Sequence, residues 1–277
     1  EAERIAKEAA QKAQALALKA KLEAERQAKI LACKATVGAM KAGKAATTFM
    51  QKVVSTATNN QKSMQQKLAQ DQAFREDIVK KITEGVTANQ YAIPELKRIH
   101  AWMNNPANKS KLEAIFGTGN FCEDSIATME SKIKALGIAP HFALIQSRGG
   151  ETPHFYMGYQ VTFDAGLGLG IQGGLFGVTD FKGNGGKYWC LGAQGGIIAG
   201  GGGAAQVTFF PKVDLESFKG PGWGVGGSLG FNVTGNGDVV FDDKFKFQGF
   251  GVGAGGGVGP AKMFGDLALS WDWSWKY

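Results

Sequence analysis

An α+β fold is predicted, with helices in the first half of the chain and an antiparallel sheet in the second. Three observations carry this. Only seven of the 41 glycines precede Gly150. Five of the six tryptophans and fourteen of the eighteen phenylalanines follow His141. Apolar residues recur at helical spacing up to about residue 139 and at every second position after it. The expected division is residues 1–139 as a long Ala/Lys-rich helical arm with a bundle of short helices. Residues 140–277 are expected as a Gly/aromatic-rich antiparallel β meander, closed as a barrel or folded as a sandwich, with the Ala139-Pro140 pair as hinge.

The arm comes first. From Ala2 to about Lys52 there is no proline, and Ala, Lys, Glu and Gln dominate, all strong helix formers. One face carries Ala13, Ala17, Ala20, Ala24, Ala28, Leu31, Ala35 and Ala39, in steps of three and four that repeat every eleven residues. Eleven residues in three turns is close to the natural helical period, so the stripe runs straight along the helix. A seam of small residues lets another backbone approach, and many small contacts make up for the little area each methyl buries. The seam therefore calls for a partner helix, from this chain or from another copy.

Further on, Val53 to Ala73 is polar, and Asn59-Asn60 reads as a turn or as a wet helix face. Phe74, Ile78, Val79 and Ile82 form a compact apolar set that Gly85 is expected to close. Pro94 suits the first turn of a helix, which Asn104-Asn105-Pro106 should end. A short helix is expected from Ser110 to Phe116, and a last one capped by Asp124 or Ser125 with Ile126, Met129, Ile133 and Leu136 on one face.

In the second half, Trp223, Val225, Gly227, Leu229, Phe231 and Val233 alternate with Gly224, Gly226, Ser228, Gly230 and Asn232. The alternation is sharpest at the end, where Trp271, Trp273, Trp275 and Tyr277 are spaced by Asp272, Ser274 and Lys276. Repeated glycine on one face of a strand implies close approach, with an aromatic ring from a neighbour lying over it. Turns are expected at Arg148–Gly150, Lys182–Gly186, Gly200–Gly203, Gly220–Gly222 and Gly235–Asp238. They separate seven to nine strands.

Charge and cysteine content bound the function. The net charge of +7 belongs wholly to the helical half, which favours anionic partners such as lipid headgroups. Three cysteines are too few for a disulfide scaffold; the readings are one bridge, Cys122–Cys190, joining the two halves in an oxidising compartment and leaving Cys33 out, or three unrelated buried thiols. Glu1 in place of a start methionine leads us to expect a processed chain outside the cytosol. The two nominal dinucleotide-binding patterns, at Gly168–Gly173 and Gly251–Gly256, sit in strand-like sequence with no helix to follow, so they lack the helix N-terminus a phosphate needs. No phosphate loop, nucleophile elbow or zinc-protease motif occurs. His141 and His154 flank the first β run as a remote candidate metal pair.

No catalytic, cofactor-binding or metal site is therefore expected. The reading is a non-enzymatic structural, assembly or binding protein, with the arm for self-association or docking on a protein partner. A second reading is a membrane-active, pore-forming protein that binds anionic lipid: strands alternating large apolar with small or polar residues, and a Trp-rich last strand, are the pattern of membrane barrels. Against it, a lumen lined by glycine would leave voids. A third is a carbohydrate-binding module, with the Trp271, Trp273 and Trp275 ladder stacking sugar rings; with Trp223 and Tyr277 these are the aromatic surface or interface candidates, a core strand being the other reading. No specific nucleic acid is expected.

Overall fold

The computed structural model describes residues 1–277 except 42–47, 151, 165–168, 196–201, 212–214, 232, 243, 245, 255–267 and 277. The α+β class holds: among the described residues, eight α-helices are followed by eight strands. The helices are α1 (Ala2–Lys41), α2 (Thr48–Gln70), α3 (Gln72–Ala88), α4 (Ile93–Met103), α5 (Lys109–Phe116), α6 (Thr118–Glu123), α7 (Ile126–Lys134) and α8 (Ala139–Arg148). The strands are β1 (His154–Asp164), β2 (Leu169–Thr179), β3 (Gly185–Gly195), β4 (Gly202–Phe210), β5 (Gly220–Phe231), β6 (Val233–Asp242), β7 (Phe247–Ala254) and β8 (Ala268–Lys276).

Local chemistry accounts for four of the helix starts. Asp71 accepts from the Phe74 amide and starts α3; Ser125 accepts from the Thr128 amide and starts α7. Pro94 and Pro140 sit in the first turns of α4 and α8, where their missing N–H costs nothing. The expected hinge at Ala139-Pro140 is thus a helix start, and the change from helix to strand falls between Arg148 and His154. Asn59 and Asn60 lie inside α2, whose buried face is Val53, Ala57, Met64 and Leu68. Gly85 lies inside α3, which runs on to Ala88.

Every ladder is antiparallel, and the hydrogen-bonded order β1-β2-β3-β8-β5-β6-β7-β4 closes on β1. This is not a simple meander. β3 pairs with β8 rather than β4, and β4 returns to lie between β1 and β7. Two expected turns lie inside strands. Gly235–Asp238 belongs to β6, paired with Leu229 to Gly226 of β5, and Gly220–Gly222 opens β5, paired with Ser274 to Asp272 of β8. A neighbouring strand on each side outweighs the local turn preference of Asn-Gly. Pro221 is tolerated because it stands at the start of its strand. The expected turn at Lys182–Gly186 is present: Asp180 accepts from the Lys182 and Asn184 amides, and Gly183 takes φ +98°.

The ring has two faces with different neighbours. On one face Phe155, Met157, Leu191, Val207, Phe209, Val239 and Phe241 share a core with Ile78, Ile82, Leu96, Ile99, Met129 and Phe142 of the helices. The helices pack around the whole circumference: α7 on β2 and β3, α2 on β3 and β8, α3 on β5, β6 and β7, α4 on β4 and β7. Phe142 of α8 meets Phe155 of β1, with ring centroids 4.8 Å apart. The interior of an eight-stranded barrel holds side chains, not helices. The helices therefore form an outer collar, and the opposite face of the strands is the lumen. Among the residues whose side chains are described, the barrel residues of the shared core lie near the strand ends marked by His154, Thr179 and Phe210, which we call the collared end.

Candidate functional site

The lumen is filled at the collared end. Tyr156 of β1, Phe176 of β2, Tyr188 of β3 and Phe210 of β4 converge there with Leu215 and Phe218, which lie on a 3-10 turn between β4 and β5. Those two strands are not neighbours in the ring, and the described turn between them, Leu215–Phe218, sits against the rings at the end of the barrel. Phe218 contacts three of the rings: Phe210 at 5.1 Å, Tyr188 at 5.8 Å and Phe176 at 6.4 Å between centroids. Tyr188 stacks on Phe176 at 5.2 Å and donates its hydroxyl to the Leu215 carbonyl at 2.7 Å.

Glycine makes the room. A Cβ on Gly251 would stand 2.8 Å from Thr208 Cγ2 and 3.0 Å from Phe210 Cε1, and one on Gly186 would stand 2.8 Å from the Tyr188 ring. At these two positions rings lie over glycine, as the sequence alternation implies. The lumen at this end is packed, which removes the objection of glycine-lined voids for that part of the barrel.

A second cluster joins arm, collar and barrel. Lys187 of β3 is buried, and its Nζ donates to the carbonyls of Phe121 and Asp124, each at 2.6 Å, with Cys122 O at 3.5 Å. It thereby satisfies carbonyls at the C-terminal end of α6, where a cation is also favoured by the helix dipole. Burial pushes the Lys187 ammonium down to about 8, against the upward pull of Asp124. Asp124 pairs in turn with Lys132 of α7. On the outer side of α6, Glu123 pairs with Lys34 of α1, and Arg26 reaches the Glu123 carbonyl at 3.5 Å.

The disulfide lies in the same cluster and corrects the expected pairing. Cys33 is bonded to Cys122, with Cα atoms 5.8 Å apart, and Cys190 is not part of the bridge. Cys190 packs in the lumen with Tyr188 and Phe176, on the opposite side of the barrel wall from α6, so it cannot reach Cys122. The bridge ties the arm to the collar, not one half of the chain to the other.

Other polar contacts fix the collar to the barrel. Thr179 of β2 donates to the buried Glu130 carboxylate of α7. Gln146 and Lys134 donate to the carbonyls of Asp180 and Phe181, in the β2–β3 turn, at 2.6 and 3.2 Å. Within the collar, Glu95 of α4 is buried between His141 and Arg98, each 2.5 Å away. Burial raises the Glu95 carboxyl, but these two hydrogen bonds outweigh it and hold the group below its ordinary value.

The sequence-derived residues are distributed unevenly over this geometry. The seam is not packed within the chain: Ala13, Ala17, Ala20, Ala24, Ala28, Leu31 and Ala35 are exposed and Ala39 is half-buried. The face of α1 that docks is instead Ile30, Cys33 and Val37. Residues 2–29 project as an exposed helix that also carries Ile5, Leu16, Leu18 and Leu22 at more than half of full exposure. Trp271, Trp273 and Trp275 belong to β8, in register with Ala193, Leu191 and Trp189 of β3, and Trp223 of β5 is in register with Trp271. Tyr277 lies outside the described residues. His141 is taken up by Glu95, and no cluster of three metal-ligating side chains occurs among the described residues. None of the described helices is long and apolar enough to cross a membrane. Lys187, Glu130, Phe218 and Tyr188 were not singled out by sequence; a lysine in the alternating phase of a strand reads as solvent-facing.

No family model, no curated protein and no solved structure matches this chain.

Proposed function

We propose that this is a membrane-active barrel protein, whose strands embed beyond the collar in a lipid bilayer while the helices stay at the aqueous surface. The observation that carries the reading is the two-faced barrel: among the described residues, an apolar outer face against the helices and an inner face of small and aromatic side chains. Counting on by twos from the helix-facing Phe155 and Met157 gives Tyr159, Val161 and Phe163. Counting on from the lumen-facing Tyr156 gives Gly158, Gln160 and Thr162. Apolar residues in the outer phase and small or polar ones in the inner phase suit lipid outside and water inside. β1 continues from Gly158 to Asp164, which adds about 20 Å of strand at 3.3 Å per residue. With the tilt of roughly 35–45° that barrel strands take, this length spans about 15 Å along the barrel axis, part of the apolar band of roughly 25 Å on outer-membrane-type barrels. Two tryptophan pairs stand in register, Trp189 of β3 with Trp275 of β8 and Trp223 of β5 with Trp271 of β8, and tryptophan is enriched at bilayer interfaces. The positive charge of the helical half would hold the collar against anionic headgroups.

Flotation tests this. Full-length protein mixed with phosphatidylglycerol-containing vesicles is expected to rise with them through a density gradient and to stay bound in high salt. Protein that remains at the bottom, or that salt releases completely, would mean that the barrel does not enter the bilayer.

A second reading, assembly through the arm, is favoured by the unpacked alanine seam. A helix exposed over 28 residues gains little from tertiary packing. A second copy offers the same eleven-residue period and so a matching seam. Light scattering after size exclusion is expected to give a mass above the monomer for the intact chain and the monomer mass once residues 1–28 are removed.

A further inference from the structure

We propose that the arm pairs with the arm of a second copy of this chain, antiparallel and in a single register, with Ala17 of each copy facing Ala20 of the other. The inference rests on the assembly reading above and adds to it the direction and the register. Its first support is the way α1 docks. Ile30, Cys33 and Val37 are buried against the collar, while Leu31 is 66% exposed and Ala35 is exposed. The seam therefore points away from the collar of its own chain. Continued back through Ala9 and Ala6 to Ala2, its exposed length up to Ala35 is about 50 Å at 1.5 Å per residue.

The second support is the order of the steps. From Ala2 to Ala35 the seam advances by 4, 3, 4, 4, 3, 4, 4, 3 and 4 residues. This series reads the same from either end, about a centre between Leu18 and Lys19. Two antiparallel copies thus meet seam residue on seam residue along the whole length, with Ala13 on Ala24 and Ala2 on Ala35.

The third support is charge. On the flank of the seam that carries Ile5 and Leu16 stand Glu1, Lys12, Glu23 and Lys34, eleven residues apart and alternating in sign. In the antiparallel register Lys12 comes within two residues of Glu23 of the second copy, about 3 Å along the axis, and Glu23 meets Lys12 of the second copy in the same way. Lys34 is shared with Glu123 of its own collar, so the inner pair carries the selection. Glu23 also meets Arg26 and Gln27 of its own helix, but its side chain is 53% exposed and open to a further cation. Sliding one copy by eleven residues keeps the seam in contact, yet it sets Lys12 near Lys12 or Glu23 near Glu23. A parallel pair opposes the two flanks and puts Glu1 beside Glu3 and Glu23 beside Glu25. The charges therefore select one arrangement among those the seam permits. Ile5 and Leu16, 56% and 68% exposed, are covered on the same flank.

The experiment uses the full chain with Lys12→Glu, with Glu23→Lys and with both together. The two positions are exposed, so the buried core is unchanged. By sedimentation equilibrium, each single variant is expected to raise the dimer dissociation constant about tenfold, and the double variant to return it to within about threefold of the parent. Leu22→Gln, on the side of α1 that continues the docked Cys33 face, is expected to leave the constant unchanged. Direction is read separately, from the distance between nitroxide labels on Glu3→Cys measured by pulsed electron paramagnetic resonance. Glu3 lies level with Lys34 of the second copy, so the antiparallel pair sets the labels about 45 Å apart, against less than about 20 Å in a parallel one. A short distance, or no rescue in the double variant, would overturn the proposed register and leave assembly through the arm standing. Dissociation by Leu22→Gln would move the contact to the other face and overturn the seam. A parent chain that stays monomeric at every concentration would overturn the assembly reading, and this inference with it.

Discussion

Lys187 Nζ lies 2.6 Å from the Asp124 carbonyl oxygen and 2.6 Å from that of Phe121, so one buried lysine of the barrel wall holds the end of a collar helix that also carries the disulfide to the arm. Arm, collar and barrel meet at this point.

Replacing the lysine therefore should be costly. Lys187→Met keeps much of the apolar stem but leaves two close carbonyls without their donor, a loss of about 2–4 kcal/mol. The cost should also depend on pH. The ammonium titrates near 8 in the fold, below its ordinary 10.5. Between those values the unfolded chain binds more protons than the folded one, so the contribution of Lys187 to stability rises with pH over that window. Urea unfolding of parent and variant at pH 7 and pH 10 is expected to show a larger difference at pH 10. A difference that shrinks would mean that the charged form, not the neutral one, is favoured by burial.

Reduction should loosen the arm without dissolving the barrel. Cys33 and Cys122 are 89 residues apart in sequence, and cross-links over loops of that length contribute about 2–5 kcal/mol. Thermal unfolding of Cys33→Ser is expected to shift down accordingly. Limited trypsin digestion should then cut within α1 well before the barrel. Peptide mapping under non-reducing conditions should recover Cys33 with Cys122 and leave Cys190 alkylated after unfolding.

Within the collar, Glu95→Gln removes the negative charge that His141 and Arg98 contact and should cost about 1–2 kcal/mol at pH 7. The Glu95 carboxyl sits below its ordinary value in the fold. Its contribution is thus complete above the ordinary carboxyl range and is lost as pH falls through the lowered folded value. Parent and variant should converge in stability in strong acid, as seen by tryptophan fluorescence at equilibrium.

Two glycines make a controlled comparison. Gly251→Ala would drive a methyl against Thr208 and Phe210 and should cost about 1–3 kcal/mol through overpacking. Gly38→Ala, in a helix with nothing within 4 Å, should raise stability by about 0.5–1 kcal/mol. Equal effects would mean that the Gly251 recess is not occupied by the rings.

The helix-then-sheet order was legible in the sequence because each half keeps one hydrophobic period over many residues, and the Pro94, Ser125 and Lys182–Gly186 signals are local. What was not legible is non-local. The pairing of Cys33 with Cys122 depends on α6 lying against α1, and nothing in the spacing of three cysteines conveys it. Asn236-Gly237 carries turn chemistry, yet it sits in β6 because β5 and β7 flank it. The return of β4 to β1 and the insertion of β8 between β3 and β5 are choices of partner among similar Gly-rich strands, which alternation cannot rank. Lys187 and Phe218 look ordinary in sequence; their roles arise from carbonyls and rings supplied by distant segments. The alanine stripe of α1 lies on an exposed face, and the segment of α1 that docks is Ile30, Cys33 and Val37.

The central claim, that the strands enter lipid while the collar stays in water, is tested most directly by quenching of tryptophan fluorescence with brominated phospholipids. The protein has one tryptophan before β1 and five in its strands. In brominated anionic vesicles the emission is expected to fall by roughly half or more relative to the same lipids without bromine, since quenching requires bromine close to the rings that belong to the interface. Emission equal in the two kinds of vesicle, with the protein present at the same concentration, would contradict the account and leave assembly through the arm as the reading to pursue.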